Sequence, residues 1–179
     1  MRSRVKQSTP TLPTLPLEYR PRLAEASDTK HARHYLLPGK VFASAEPAAV
    51  TTIVGSSVAL CMWDAVSGCG GAVHFLMSEA PQDDQGNTKY ADAAGETLYK
   101  MLLEVGATPR GLEAKIFGGL QPAVKFENAP SCLGNRNVEA ILKFLAAKGI
   151  RLAGKEVGGN AGRKVIFHTD DGCTWSEAL

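Results

Sequence analysis

Apolar residues recur along this chain with two different periods. Residues 49–54 (AVTTIV) and 57–64 (SVALCMWD) are short runs rich in Val, Ile and Thr, the composition of β-strands. Gly55 between them can take backbone angles closed to other residues. AVSG (65–68) reads as a turn, and CGGAVHFLMS (69–78) as a third strand-like run. Upstream, HYLLPGKVFAS (34–44) sets a Pro38-Gly39 turn between two short apolar runs. Downstream, the period changes to that of a helix. In 89–106, Tyr90, Ala94, Leu98, Met101, Leu102 and Val105 share one face, and Gly106 is placed to end it.

The alternation returns at 112–119 (LEAKIFGG), which predicts a strand. A second helix is predicted from about Asn137, a favourable N-cap residue, with Val138, Ile141, Leu142 and Leu145 as its stripe and Gly149 as its stop. Residues 150–159 read as a strand. Residues 164–176 read as a hairpin turning at Asp171-Gly172. Polar 80–88 is an exposed loop, and 119–134 is irregular. The sum is about seven strands and two helices, without a regular βαβ repeat. This predicts a single layered domain of mixed α/β (α+β) class, with helices packed on a mixed sheet or β-sandwich.

Residues 1–33 differ from the rest. Pro10, Pro13, Pro16 and Pro21 lie among Thr, Arg and Lys, a spacing that breaks helices and denies ladder hydrogen bonds. A flexible, solvated basic arm is expected there, with the folded domain at 34–179. A length of 179 residues suits one domain with a substantial core. A net charge of +2 gives no pull toward nucleic acid or a membrane surface. No apolar run is long enough for a transmembrane helix, and the basic N-terminus lacks the apolar core of a signal peptide. A cytoplasmic protein is the expectation. Cys61, Cys69, Cys132 and Cys173 show no CxxC spacing, so they read as buried or idle thiols rather than a zinc site.

The candidate chemistry lies between Thr51 and His74. Ser57 sits where a Gly-Ser-Ser turn meets a strand, and His74 follows seventeen positions later after a Gly-rich connection. A hairpin there would bring a hydroxyl nucleophile to a base that titrates near neutrality. Taken alone, the pair reads first as a turn-capping serine and a core histidine, since neither residue is diagnostic by itself. Cys61 is no substitute nucleophile. On a strand it lies about 13 Å from Ser57, at roughly 3.3 Å per residue. The pair Gly158-Gly159 lacks the spacing and terminal Ser/Thr of a phosphate loop.

The run Thr51, Gly55, Ser56, Ser57, Val58, Ala59, Cys61, followed by Gly70, Gly71 and His74, resembles the pattern T-x-x-x-G-S-C-V-A-x-C…G-G-x-x-H of the CheD family, the chemoreceptor glutamine deamidases. The likeness continues in family order through LLPGKVFASAEP, KYADAAGETLYKMLLEVGA, LEAKIFGG, LGNRNVEAILKFL and GGNAGRKVIF, covering residues 34 to 170. It implies a CheD-like fold, related to the cytotoxic necrotizing factor toxins and distantly papain-like. It implies hydrolysis of receptor glutamine side chains to glutamate and ammonia, with no metal or organic cofactor. It implies a site made of position 57 as nucleophile, His74 as base and Thr51 orienting the histidine. The implied partners are the cytoplasmic helices of methyl-accepting chemoreceptors and a CheC-type phosphatase.

One position departs from the pattern. Ser57 stands where the family has its nucleophilic cysteine. A thiol forms a thiolate beside an imidazolium far more readily than a hydroxyl loses its proton. A site shaped for a thiolate is expected to lose at least about a hundredfold with serine. A second reading follows, in which the chain acts by docking to receptors or to a phosphatase without chemistry.

Overall fold

The computed structural model describes residues 29–121 and 132–179. Residues 1–28 of the predicted arm and most of the predicted irregular stretch lie outside these. The first strand, β1 (Ala32–Tyr35), begins two residues inside the predicted arm.

Two strands carry the fold. β4 (Val58–Asp64) and β5 (Cys69–Phe75) are buried along their whole length. A strand is buried throughout when both of its faces are covered, and the alternation of side chains shows by what. From β4, Val58, Leu60 and Met62 enter one apolar cluster, while Ala59, Cys61 and Trp63 enter another. The first cluster lies under two helices, α1 (Ala91–Glu104) and α2 (Leu133–Lys148), which contribute Leu98, Leu102, Ile141 and Leu145. The second faces a second sheet.

The five-stranded sheet has the order β2-β5-β4-β6-β7, adding β2 (Val41–Ser44), β6 (Leu112–Gly118) and β7 (Arg151–Val157). The four-stranded sheet has the order β1-β3-β8-β9, with β3 (Ala48–Val54), β8 (Arg163–His168) and β9 (Thr174–Ala178). Each contains one parallel pair, β6 with β7 and β1 with β3, so both are mixed. The chain is a three-layer mixed α/β domain of helices, sheet and sheet.

Both predicted helices form, and Gly149 ends the second in the left-handed region at φ 66°. The second begins earlier than predicted. Its N-cap is Cys132, and Asn137 lies inside the helix, fully buried. Gly134, Asn137, Ile141 and Leu145 are its buried positions, a helical stripe in which Asn137 takes an apolar place. The predicted hairpin at 164–176 is β8 and β9, and the predicted loop at 80–88 holds a 3-10 turn, Gln82–Asp84. Among the described residues there are nine strands where about seven were predicted.

The glycine pair in β5 sets how closely the layers approach. A Cβ on Gly70 would lie 2.1 Å from the backbone oxygen of Thr169, which follows β8. No side chain fits in that gap, so the two sheets meet here backbone to backbone. Gly70→Ala should therefore force the sheets apart and cost about 1–3 kcal/mol or more. Gly154→Ala on β7 would meet the Lys115 side chain at an ordinary 3.6 Å and should change stability by less than about 0.5 kcal/mol. Urea midpoints of the two variants check the contrast.

Candidate functional site

Strand alternation places the histidine. His74 shares a face of β5 with Gly70 and Ala72, so its ring enters the layer between the sheets. It is 2% exposed. Across that layer β3 points Val50, Thr52 and Val54 inward, all buried. Ser57 lies one residue before β4 begins, at the end of the β3–β4 turn. β4 and β5 are antiparallel neighbours with Ala59 opposite His74. That register brings the start of one strand beside the end of the other.

The three side chains form a chain of hydrogen bonds. Ser57 Oγ lies 2.7 Å from His74 Nε2, and Thr52 Oγ1 lies 2.9 Å from His74 Nδ1. Thr52 also donates its hydroxyl proton to the Leu36 carbonyl at 2.8 Å. A threonine has one proton to give. Once it is given to Leu36, Thr52 must accept from His74, which places the ring proton on Nδ1. Nε2 then carries the lone pair, aimed at Ser57, and accepts the hydroxyl proton. The geometry holds the imidazole in the tautomer that a general base requires.

Thr51, expected to orient the ring, lies on the opposite face of β3 and is half-buried. Successive strand residues point to opposite faces, so one position decides which threonine meets the histidine. The hydroxyl on Nδ1 is that of Thr52. The doubled Thr51-Thr52 in the sequence offered both, and the phase of Val50 and Val54 was the signal that separated them.

Burial pushes the His74 ring down to about 4. At neutral pH it is therefore uncharged. Burial pushes the Cys61 thiol the other way, up to about 12, with Lys115 opposing weakly. Cys61 is an inert thiol of the inter-sheet core. The buried carboxylate Asp64 stands at the far end of β4 from Ser57. It accepts from the amides of Val66, Ser67 and Thr108 and from the Thr108 hydroxyl, a turn staple rather than a third catalytic group.

A second titratable cluster, not anticipated from the sequence, lies at the other end of β3. His31 bonds Asp170 at 2.8 Å, Lys30 pairs with the same carboxylate at 2.5 Å, and the rings of His31 and His168 stack at 3.8 Å. Burial alone would raise the Asp170 carboxyl, but hydrogen bonds from Lys30 and His31 outweigh it and hold it down at about 2.

The turn before Ser57 is held from beneath. Leu120 N donates to Gly55 O at 2.8 Å, Gly119 N to Ser57 O at 2.9 Å, and Asn137 Nδ2 to Ser56 O at 3.0 Å. Asn137 Nδ2 also donates to Leu76 O at 2.8 Å, two residues beyond His74. Helix α2 can come this close because position 134 is glycine. A Cβ there would meet the carbonyl oxygens of Leu120 and Gly119 at 2.3 and 2.5 Å.

Known proteins resemble the chain over most of its length. A family model described as CheD chemotactic sensory transduction matches residues 76–178. A protein of Anaeromyxobacter dehalogenans named "Probable chemoreceptor glutamine deamidase CheD 1" is 37% identical over 148 residues, 83% of this chain and 85% of that protein. "Probable chemoreceptor glutamine deamidase CheD 2" of Geobacter sulfurreducens is 36% identical over 77% of this chain and 84% of its own length. A protein of Trichlorobacter lovleyi with the corresponding name is 33% identical over 84% and 92%.

The neutral buried ring makes a prediction about acid. In an unfolded chain a histidine takes up its proton near pH 6.5, whereas His74 in the fold takes it up near 4. Above pH 6.5 neither form is protonated there and this contribution to stability is complete. Between 6.5 and 4 the unfolded chain gains the proton first, so stability falls as pH falls, by about 3 kcal/mol in all. Below 4 the loss levels off. His74→Gln should remove this part of the slope, seen as a flatter dependence of urea-unfolding free energy on pH between 7 and 4.

Proposed function

Because this chain belongs to the CheD family, we propose that it is a protein-glutamine deamidase acting on methyl-accepting chemoreceptors in chemotaxis. The observation that carries the site assignment is the Thr52–His74–Ser57 chain, whose tautomer leaves Nε2 free to take a proton from position 57. Ser57 Oγ attacks the carbon of a receptor glutamine's side-chain amide while its proton passes to Nε2. His74 then gives that proton to the departing nitrogen, and ammonia leaves an ester on Ser57. Water attacks the ester, His74 again takes the proton, and glutamate is released as the Ser57 oxygen recovers it. The substrate residues lie on the cytoplasmic helices of the receptors. A cytoplasmic location and a CheC-type phosphatase as second partner belong to the same proposal. No helix among the described residues is long and apolar enough to cross a membrane.

The hydroxyl nucleophile sets the expected rate. A neutral histidine of low basicity must remove a proton from a group much less acidic than a thiol, so turnover through Ser57 is slow. Ser57→Cys should raise deamidation of a chemoreceptor cytoplasmic fragment at least about a hundredfold, read as the mass gain of about one dalton per converted glutamine. In that background Thr52→Val should lower kcat about tenfold or more by freeing the ring to turn, since one hydrogen bond to the base is lost. Thr51→Val should leave kcat unchanged. A Ser57→Cys variant that folds and binds the fragment without converting glutamine would instead support a protein that acts by docking.

A further inference from the structure

We infer that Asn137 is a positioning residue for the amide-hydrolysis site, locking the Ser56–Ser57 peptide plane so that the Ser57 N–H is presented as an oxyanion donor. The inference rests on the reading of the site as one that hydrolyses amides. The described residues hold no cis peptide bond, and in a trans peptide unit the carbonyl and the following N–H point in opposite directions. The carbonyl of the Ser56–Ser57 unit is held by Asn137 Nδ2 at 3.0 Å, from helix α2 on the helical side of β4. The N–H of Ser57 is therefore turned to the other side. That is the side on which Ser57 Oγ meets His74. Nucleophile and amide of the same residue then face one space, where the oxygen of a tetrahedral intermediate would gather charge.

The clasp is specific in its chemistry. Asn137 is fully buried and gives both protons of one nitrogen to two carbonyls, those of Ser56 and Leu76. Turned about, the side chain would set oxygen against oxygen. Its own Oδ1 is buried without a hydrogen-bond partner among the described residues. Buried acceptors are seldom left so, and here it is the consequence of aiming both donors at the two chain segments that carry nucleophile and base. The other two carbonyls of the turn, Gly55 and Ser57, are held by backbone amides. Asn137 is the side chain in this clamp and the part that substitution can remove.

The test compares two reactions of the Ser57→Cys protein. Glutamine deamidation passes through an oxyanion, whereas alkylation by iodoacetamide is a direct displacement at carbon and does not. Asn137→Leu, of similar volume but without a donor, should lower kcat about a hundredfold, as loss of one oxyanion donor does. It should leave KM and the rate and pH profile of alkylation at position 57 within about twofold. Deamidation at undiminished kcat overturns the proposal, and so does a parallel loss of alkylation, which would mark a merely structural role.

Should Asn137→Leu fail to fold, the unmutated chain decides. A receptor peptide bearing an aldehyde in place of the side-chain amide forms a hemiacetal with Ser57, and the Ser57 amide proton should move downfield more than any other. An adduct that leaves this proton in place overturns the proposal. If Ser57→Cys alkylates rapidly but neither hydrolyses glutamine nor forms the aldehyde adduct, the amide-hydrolysis reading fails and this proposal falls with it. If it does hydrolyse, a null effect of Asn137→Leu removes the present proposal alone.

Discussion

A histidine buried between two sheets resists taking a charge and is costly to leave without partners. That constraint governs the rest of the structure. His74 is pushed down to about 4 by burial and is bonded at both ring nitrogens. Supplying those two partners requires β3 and the β3–β4 turn to arrive on opposite sides of one ring. It also requires the sheets to come close, which Gly70 permits by having no side chain to set against Thr169. The same contacts that satisfy a buried polar group leave a lone pair aimed at a hydroxyl. Stability and reactivity are here one arrangement seen twice.

Much of this was legible in the sequence because its causes are local. The strand runs at 49–54, 57–64 and 69–78 declare themselves by β-branched composition, and their short turns make them neighbours. Ser57 and His74 meet because consecutive antiparallel strands pair, as β4 and β5 do. The helix at 91–104 follows from an apolar stripe and a glycine stop. What was not legible depends on contacts between distant segments. β1 is a short outer strand whose place in a sheet is decided by its pairing with β3, which is itself paired with β8 more than a hundred residues away. Thr52 replaced Thr51 because pairing fixes which alternate residues face inward, and two adjacent threonines fit either phase until a partner is known.

Asn137 shows the same limit in another form. Asparagine before an apolar stripe is a favourable cap, so local propensity put a helix start there. The helix instead begins at Leu133 and turns Asn137 inward. Its spacing was the neglected signal. Positions 137, 141 and 145 lie four apart, in phase with the buried stripe, and a polar residue in that phase must meet a partner across the interface. The partners, Ser56 and Leu76, are 81 and 61 residues away in the chain. No local rule could have named them.

The place where local rules are broken is also the place where chemistry is proposed. A buried asparagine on an apolar stripe, an unpartnered Oδ1 and a glycine inside helix α2 each weaken the helix that carries them. Gly134 is there because the carbonyls of Gly119 and Leu120 leave no room for a Cβ. Those two residues in turn hold the carbonyls of Ser57 and Gly55 through their own amides. Helix α2 thus gives up some of its own stability to stand against the turn that carries position 57. The result is a turn whose three carbonyls are all engaged from the scaffold side. A nucleophile on such a turn need not reorganise its backbone as charge develops, which is how a scaffold contributes to an acyl-transfer step without touching the substrate.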